Sequence, residues 1–362
     1  MTSKNTVETT PAGTASKPRD AYLDNAKVIL IVFVVVGHLL AVVSGSGLSS
    51  AAYKWIYAFH MPAFVVITGY LSRSYEGSPR QLRMLVSGVL VPYLVFQVIV
   101  RIEPWLFFGE PLNINIFVPA WSNWYLLAVF AWRLLIPVLR RLRFPVAASL
   151  IVVMLSLLDG GVNQSLSSAR ILSYLPFFVF GLMLTPARLE KFKSFARRLI
   201  VRAVALTYVV GVGIGMYLAG DRVRPSWFAM SVLSDVPGDL SSLQQIGLRV
   251  CVLAFVSSML VAVMVLVPQR RLFFSFMGAA TLTMYLLQEA TLLIPRHFIS
   301  QWTDWSAPAV LMLILAGAGY ALLLGSRPVQ FLTKWIVDPV GTFRWLQRLV
   351  YRQEAQTVDS AR

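Results

Sequence analysis

Long apolar stretches, separated by short polar segments, recur along the whole chain. A helix that crosses a bilayer needs about 20 apolar residues, and ten segments approach that length. They run over 27–44, 52–72, 82–101, 121–139, 144–159, 169–186, 199–219, 248–267, 274–294 and 307–325. The pattern predicts an all-α fold, a polytopic integral membrane bundle of about ten transmembrane helices.

Basic residues between the apolar segments predict the orientation of this bundle. Of the 32 Lys and Arg residues, 24 fall in segments that a ten-span count places on the same side as the N-terminus. Cytoplasmic loops of membrane proteins are enriched in Lys and Arg, so the N- and C-termini are both expected to be cytoplasmic. A count of nine or eleven spans would remove this asymmetry.

Composition supports a membrane location and excludes one class of partner. Hydrophobic residues make up 57% of the chain and charged residues 13%, which is too apolar for an ordinary soluble protein. The net charge of +16 is spread between apolar segments and is not gathered into a patch with aromatic residues, so no nucleic-acid partner is expected. The expected partner is the lipid bilayer of the cell membrane, plasma or inner, crossed several times.

The polar ends of the chain flank a single membrane domain. Residues 1–18 are rich in Thr, Ser, Ala, Lys and Pro and are predicted to form a disordered cytoplasmic tail. The transmembrane domain is expected over 19–326. In the remaining segment, 327–362, tryptophans and cations predict a cytoplasmic interfacial helix followed by a disordered tail.

The first span carries three ionisable side chains on nearly one face. Lys27 and His38 are eleven residues apart, which is three helical turns and about 16 Å along the axis. Asp24 lies one turn before Lys27. Ionisable groups within a bilayer are costly and usually functional. The alignment of Asp24, Lys27 and His38 therefore indicates a functional face on this helix.

Other spans bring polar side chains to a depth similar to that of His38. In the second span, Pro62 is expected to weaken the helix beside His60. The further polar residues of this layer are Asn123 and Trp124 in the fourth span and Tyr285, Gln288 and Glu289 in the ninth. Simpler roles stay open, because His60 can be only an interhelical hydrogen-bonding group and Glu289 a structural carboxylate, for example one paired with Arg133.

Two arginines, Arg80 and Arg83, begin the third span on the predicted cytoplasmic side. Side chains three residues apart project from the same side of a helix, and paired guanidinium groups suit a multiply charged phosphate. The positive-inside rule alone also predicts arginines at this position. The three histidines lack the spacing of metal ligands, so no metal is expected.

Several motifs, taken together, resemble a known family of membrane enzymes. The strongest is the run from Tyr22 to Lys27, YLDNAK, which leads into Gly37 and His38. The others are FHMPAF from Phe59 with Thr68-Gly69-Tyr70, Arg80-x-x-Arg83 with Val91-Pro92-Tyr93, Trp124-Tyr125-Leu126, and Tyr174-Leu175-Pro176-Phe177-Phe178 with Gly181. These motifs resemble the integral-membrane acyltransferase-3 family, and within it the fucose 4-O-acetylase-like branch. Gln288 stands where many members carry His.

The resemblance implies an activity for the domain over 19–326. An acyl group, usually acetyl from acetyl-CoA, would be transferred to a hydroxyl of a carbohydrate or of another extracytoplasmic or lipid-linked acceptor. The resemblance assigns the catalytic role to His38, as a general base or a transient acyl carrier. It assigns CoA binding to Lys27, Arg80 and Arg83. His60 and Glu289 are further catalytic candidates, and the candidates for substrate binding are Asp24, Asn123, Trp124, Tyr285 and Gln288.

A second function class fits the same pattern less well. A proton-coupled transporter or exporter of a small molecule or glycan would also use histidines within membrane spans. Many transporters contain inverted repeats, and none is evident in this sequence. The basic pair at the start of the third span also favours an enzyme with a phosphate-bearing donor.

Overall fold

The computed structural model describes residues 19–43, 46–120, 122–156, 167–230 and 241–343. Within these ranges the chain is helical and contains no strand, which confirms the predicted all-α class. The predicted tail over 1–18 and the last part of the 327–362 segment, after residue 343, lie outside the described residues.

Sixteen α-helices make up most of the described chain. The first eight are α1 Ala21–Leu40, α2 Gly47–Tyr57, α3 His60–Leu71, α4 Pro79–Leu85, α5 Val91–Phe108, α6 Trp124–Leu139, α7 Pro145–Ser156 and α8 Ser168–Met183. The others are α9 Pro186–Ala196, α10 Leu199–Ala219, α11 Ser226–Ala229, α12 Ser242–Leu266, α13 Thr281–Thr291, α14 Leu293–Ser300, α15 Ala307–Leu324 and α16 Arg327–Val337. A π-helix, Val86–Leu90, joins α4 to α5, and 3-10 turns cover Gly220–Arg222 and Ser275–Ala279.

Five helical stretches of the described chain are long and apolar enough to cross a membrane. They are Ala21–Leu40, Pro79–Phe108, Leu199–Arg222, Leu243–Leu266 and Ala307–Leu324. Helices α8 and α9 are long and apolar enough only when taken together, as a pair bent by 97°. Counting this pair gives up to six such stretches. Helices α6 and α7 are apolar but shorter. The chain is therefore a helical membrane protein, and the count of ten spans stays a prediction.

The predicted second span is broken into α2 and α3. The break falls at Ala58 and Phe59, just before His60, and Pro62 lies in the first turn of α3. Proline is accommodated in a first helical turn because it has no N–H to donate there. The break places His60 at a helix start inside the protein rather than in the middle of a continuous span.

The closest helix pair in the core is α3 against α8, and two glycines permit it. A Cβ atom added to Gly69 would lie against the backbone carbonyl of Phe178, and one added to Gly181 would lie against the carbonyl of Val66. Small residues let helix backbones approach in membrane proteins. Next to this contact Trp132 of α6 stacks on Phe178, with ring centroids 5.2 Å apart.

Candidate active site

The opening motif anchors α1 to the segment that follows α12. The Tyr22 hydroxyl donates to the Met264 carbonyl at 2.9 Å. The Asn25 side-chain amide donates to the carbonyl oxygens of Pro268 and Arg270 at 2.9 and 2.8 Å, and its Oδ1 accepts from Ser275 at 2.5 Å. Part of the motif is therefore structural, because these bonds satisfy carbonyls at a helix end.

Asp24 lies between two cations at the start of α1. Its carboxylate accepts from Arg19 Nη2 at 2.7 Å and from Arg19 Nε at 3.0 Å, and it pairs with Lys27 Nζ at 2.9 Å. Lys27 also donates to the Gly278 carbonyl at 2.5 Å. The hydrogen bond to Asp24 raises the pKa of the Arg19 guanidinium. These contacts fix the position of the Lys27 ammonium before any ligand binds.

His38 lies eleven residues further along α1 and is held by α13. Its Nδ1 is 2.9 Å from Gln288 Oε1. Because an amide oxygen only accepts hydrogen bonds, Nδ1 carries the proton in this pair and Nε2 keeps its lone pair. Gln288 therefore orients the His38 ring and selects the tautomer in which Nε2 can accept a proton.

Ser122 joins Gln288 to Glu289. The Gln288 side-chain nitrogen donates to Ser122 Oγ at 3.0 Å, and Ser122 Oγ makes a short hydrogen bond to Glu289 Oε2. The Ser122 backbone N–H donates to both oxygens of the same carboxylate, at 3.0 and 3.2 Å. The Tyr285 hydroxyl donates to the Ser122 carbonyl. The side chains of Gln288, Glu289 and Tyr285 thus form one buried polar cluster around Ser122.

Ser122 did not emerge from the sequence, and the partner suggested there for Glu289 is different. Arg133 donates instead to Ser72 Oγ at 3.1 Å, while Glu289 is bound to Ser122. A serine at the start of an apolar segment carries no distinctive pattern. The one feature of the sequence that could have indicated Ser122 is its position next to the candidates Asn123 and Trp124, in the sequence Trp-Ser-Asn-Trp.

His60 makes a separate set of contacts. Its Nδ1–H donates to the Ile56 carbonyl at 2.8 Å, across the break between α2 and α3. The ring packs edge-on against Tyr57, with centroids 4.7 Å apart, and is 2% exposed. Among the described contacts no hydrogen bond joins the rings of His38 and His60. His60 therefore lies beside the site, and its own hydrogen bond, to the Ile56 carbonyl, is structural.

Asn123 and Trp124, which follow Ser122 in the chain, contact other residues than the Glu289 carboxylate. The Asn123 side-chain nitrogen donates to Gln97 Oε1 at 3.3 Å, while its buried Oδ1 has no hydrogen-bond partner among the described residues. Trp124 stacks on Tyr174 at 5.2 Å. The Asn123 oxygen is therefore a buried acceptor without a partner in the described chain, and neither Asn123 nor Trp124 is among the residues that line the cavities described below.

A cavity of about 350 Å³ opens at the Lys27 end of the site. We call it the Lys27 cavity. Its cationic lining residues are Lys27, Arg19 and Arg133, and its other walls include Val34, Tyr125 and Tyr285. The Arg19 side chain is 55% exposed, so the cavity reaches the protein surface there. Val34 lies one helical turn before His38 on the same face of α1.

A second cavity, of about 660 Å³, lies at the opposite end of α1. We call it the Arg296 cavity. It is lined by Val42, just past the end of α1, and it reaches the surface at the exposed residues Glu110 and Ser300. A small space next to His38, Gln288 and Glu289 shares Val100, Leu293 and Arg296 with this cavity. His38 therefore lies between the two cavities.

Arg80 and Arg83 are not among the residues that line the Lys27 cavity. Both are exposed at the start of α4, and the π-helix that follows contributes Gly88 and Val89 to the cavity wall. The structure thus brings Arg19 and Arg133 to the cavity, two cations that the sequence did not assign to a binding site.

Comparisons with known proteins identify the family. Residues 20–337 match the family described as an acyltransferase domain. The nodulation protein NolL of Mesorhizobium japonicum is 48% identical over 66 residues, 17% of each chain. NolL of Sinorhizobium fredii is 41% identical over 70 residues, 18% of this chain and 19% of its own.

The chain thus spans less than a fifth of the length of these two relatives. No solved structure matches the chain. The family match, by contrast, covers nearly all of the described helices. The chain therefore belongs to the acyltransferase-3 family.

Proposed function

We propose that the protein is an O-acyltransferase that moves an acyl group, most simply acetyl, from acyl-CoA to a hydroxyl of a carbohydrate or lipid-linked acceptor. The donor enters the Lys27 cavity from the cytoplasm, and the acceptor enters the Arg296 cavity from the other side of the membrane. The resemblance of its motifs to the fucose 4-O-acetylase-like branch supports a sugar hydroxyl as the acceptor.

The observation that carries this proposal is the position of His38 between two cavities. Its ring is oriented by Gln288 at 2.9 Å, and cations line both cavities. The Lys27 cavity and the Arg296 cavity are each of a size that holds small ligands. A donor and an acceptor could thus meet at one imidazole without either crossing the membrane.

His38 acts as the general base in this proposal. Its Nε2 takes the proton from the acceptor hydroxyl as the oxygen attacks the thioester carbonyl. A carbon–oxygen bond forms, the carbon–sulfur bond breaks, and the imidazolium returns the proton to the leaving thiolate of CoA. The products are the acyl ester and free CoA. An alternative mechanism, in which the imidazole carries the acyl group transiently before passing it to the hydroxyl, gives the same products.

The donor's phosphates are held by cations in this proposal. Lys27, already fixed by Asp24 and Gly278, and Arg133 line the cavity, and Arg80 and Arg83 meet the phosphates near its entrance. The pantetheine arm is long enough to cover the roughly 16 Å that separates three helical turns. Asp24 holds the basic group in place and does not contact the acceptor.

The remaining candidates act around the reacting atoms. Asn123 Oδ1 accepts a hydrogen bond from an acceptor hydroxyl, and Trp124 forms an aromatic wall for a sugar ring. Glu289 and Tyr285 hold Ser122 and Gln288, which in turn hold His38. His60 supports the helix break beside the site. No metal takes part in this proposal, and among the described residues no three His, Cys, Asp or Glu side chains cluster as ligands.

The proposed membrane arrangement is the one that the basic residues predict. Ten spans with both termini in the cytoplasm put the Lys27 cavity on the cytoplasmic side of the cell membrane. The membrane domain over 19–326 then carries the reaction. The amphipathic helix α16, with exposed Phe331 and Trp335, lies at the cytoplasmic interface.

The experiment that tests the proposal incubates membranes containing the protein with radiolabelled acetyl-CoA and an envelope extract as the acceptor pool. Label should move into the extract and free CoA should be released in equal amount. Arg133→Gln should raise the KM for acetyl-CoA about tenfold, because a charge-assisted contact is lost, while the exposed Arg141→Gln should leave it unchanged.

A transporter would give the opposite result. Flux of a solute across sealed vesicles without acetyl-CoA, together with no label in any acceptor, would contradict the enzyme and support export of a small molecule or glycan. Equal KM values in the Arg133→Gln and Arg141→Gln proteins would contradict the placement of the donor in the Lys27 cavity.

A further inference from the structure

The Arg296 cavity has a positively charged lining. Three guanidinium groups contribute to it, Arg101 from α5, Arg170 from α8 and Arg296 from α14. Glu110 is the carboxylate among the described lining residues, and it lies at the exposed rim. Positive charges therefore outnumber negative ones in a cavity that leads to His38.

The contacts of Arg101 and Arg170 fix the positions of these two guanidinium groups. Arg101 donates to the Val118 carbonyl at 2.7 Å, and its buried Nε has no hydrogen-bond partner among the described residues. The Arg170 guanidinium lies 5.5 Å above the Trp124 ring. Arg296 is 8% exposed and is attracted by the Glu289 carboxylate. Holding Arg101 and Arg170 in a partly buried cavity is costly unless an anion joins them.

We infer that the Arg296 cavity binds an acceptor that carries an anionic group, a carboxylate or a phosphate, on the same molecule as the hydroxyl that is acylated. The inference rests on the proposed function and names the chemical class of its acceptor. Guanidinium groups pair with carboxylates and phosphates through two parallel hydrogen bonds, which suits recognition of either group.

The geometry relates the anion to the reacting hydroxyl. The Arg296 cavity and the small space next to His38 share Val100, Leu293 and Arg296. An acceptor whose anion meets Arg101 and Arg170 can therefore extend a hydroxyl past Arg296 toward His38. The volume of about 660 Å³ accommodates a sugar with an attached acidic group. The arginines would fix both the orientation of the acceptor and the hydroxyl that is acylated.

Binding measurements on the purified full chain in neutral detergent test this inference. Calorimetric titrations with glucose, glucuronate and a glucose phosphate should show both anions binding at least tenfold more tightly than glucose, with the difference falling as salt is added. Arg170→Gln should reduce the anion affinities about tenfold. The exposed Arg222→Gln, which does not line the cavity, should leave them unchanged. If Arg170→Gln does not fold, Arg101→Gln serves in its place.

Three results would overturn the inference. Equal affinity for glucose and its anionic relatives would remove the preference for an anion. Inorganic phosphate that binds as tightly as the glucose phosphate would indicate a site for a free anion. Displacement of the bound anion by phosphatidylglycerol but not by phosphatidylcholine, with no binding of glucuronate, would indicate a lipid headgroup site.

A parallel titration with acetyl-CoA separates this inference from the proposed function. Arg170→Gln should bind acetyl-CoA as the wild type does, because the donor uses the other cavity. Loss of acetyl-CoA binding in Arg170→Gln would mean that the cavity takes the donor, and the inference would be wrong. Anion binding with no binding of acetyl-CoA to the wild type would instead contradict the proposed function and leave the anion site in place.

Discussion

At the scale of single residues, the site depends on how one imidazole is held. Gln288 accepts a hydrogen bond from His38 Nδ1 and is held in turn by Ser122, whose own partner is Glu289. The chain of bonds leads from a base candidate to a buried carboxylate through two neutral side chains. Its physical effect is to fix a tautomer and an orientation, which a base needs before it can accept a proton.

Replacing Gln288 tests this role. Gln288→Leu keeps the volume but removes the acceptor for His38 Nδ1–H, so we expect acyl transfer to fall about tenfold or more, the cost of one lost hydrogen bond at the reacting group. Gln288→His should retain most of the activity because a second imidazole can also accept from Nδ1–H. The measurement is the rate of label transfer from acetyl-CoA in membranes with equal amounts of protein.

A matched amide provides the control for this change. Gln330 donates to the Gly325 carbonyl at 2.7 Å in α16, away from His38, so Gln330→Leu should leave the rate unchanged. Full activity in the Gln288→Leu protein would show that the His38 ring needs no partner on α13.

At the scale of elements, close helix contacts bring the polar groups together. Helix α3 packs on α8 through Gly69 and Gly181, and the break before α3 leaves His60 at a helix start. Helix α1 is anchored by Asn25 to the segment before α13. These contacts position the residues that face the cavities, and none of them requires a ligand.

The α3–α8 contact can be tested by adding one methyl group. Gly181→Ala places a Cβ against the Val66 carbonyl, so the helices must separate. We expect the free energy of unfolding to fall by about 1–3 kcal/mol, the usual cost of overpacking. The measurement is the thermal unfolding midpoint of the purified protein in detergent.

A glycine in open space provides the control for this prediction. A Cβ on Gly319 of α15 would meet no atom within 4 Å, so Gly319→Ala should leave the midpoint unchanged or raise it, since alanine favours helix. Equal midpoints for Gly181→Ala and the wild type would mean that α3 and α8 do not approach as closely as described.

The sequence predicted the helical class and the residues of α1 better than it predicted their partners. Apolar length identifies helices, and the eleven-residue spacing places Lys27 and His38 on one face. Partners that are distant in the chain have no such pattern, so Ser122 was missed. Arg133 could be noticed, but its bond to Ser72 and its place in the Lys27 cavity depend on tertiary packing.

At the scale of the whole molecule, one cavity lies at each end of α1, and each cavity reaches the protein surface separately. The two cavities differ in volume, and His38 lies on α1 between Val34, which lines the Lys27 cavity, and Val42, which lines the Arg296 cavity. This arrangement supports the proposed reaction between a donor and an acceptor on different sides of a membrane.

Cysteine labelling tests which side each cavity faces. In a Cys251→Ser background, which removes the chain's one cysteine, new cysteines can be placed at the exposed positions Glu76 and Gln301. In intact cells a membrane-impermeant maleimide should label Gln301→Cys and reach Glu76→Cys only after lysis. Equal labelling of Glu76→Cys before and after lysis would contradict the cytoplasmic position of the loop before α4.

In the proposed function, His38 promotes the transfer of an acyl group from a donor in one cavity to an acceptor in the other. The most direct measurement uses sealed vesicles with the protein in one orientation, radiolabelled acetyl-CoA on the Lys27 side only, and an envelope glycan extract on the other side only. We expect label in the extract with the wild type and none with His38→Ala, although both proteins fold and insert. Transfer by His38→Ala, or transfer by the wild type only when donor and acceptor share one side, would contradict it.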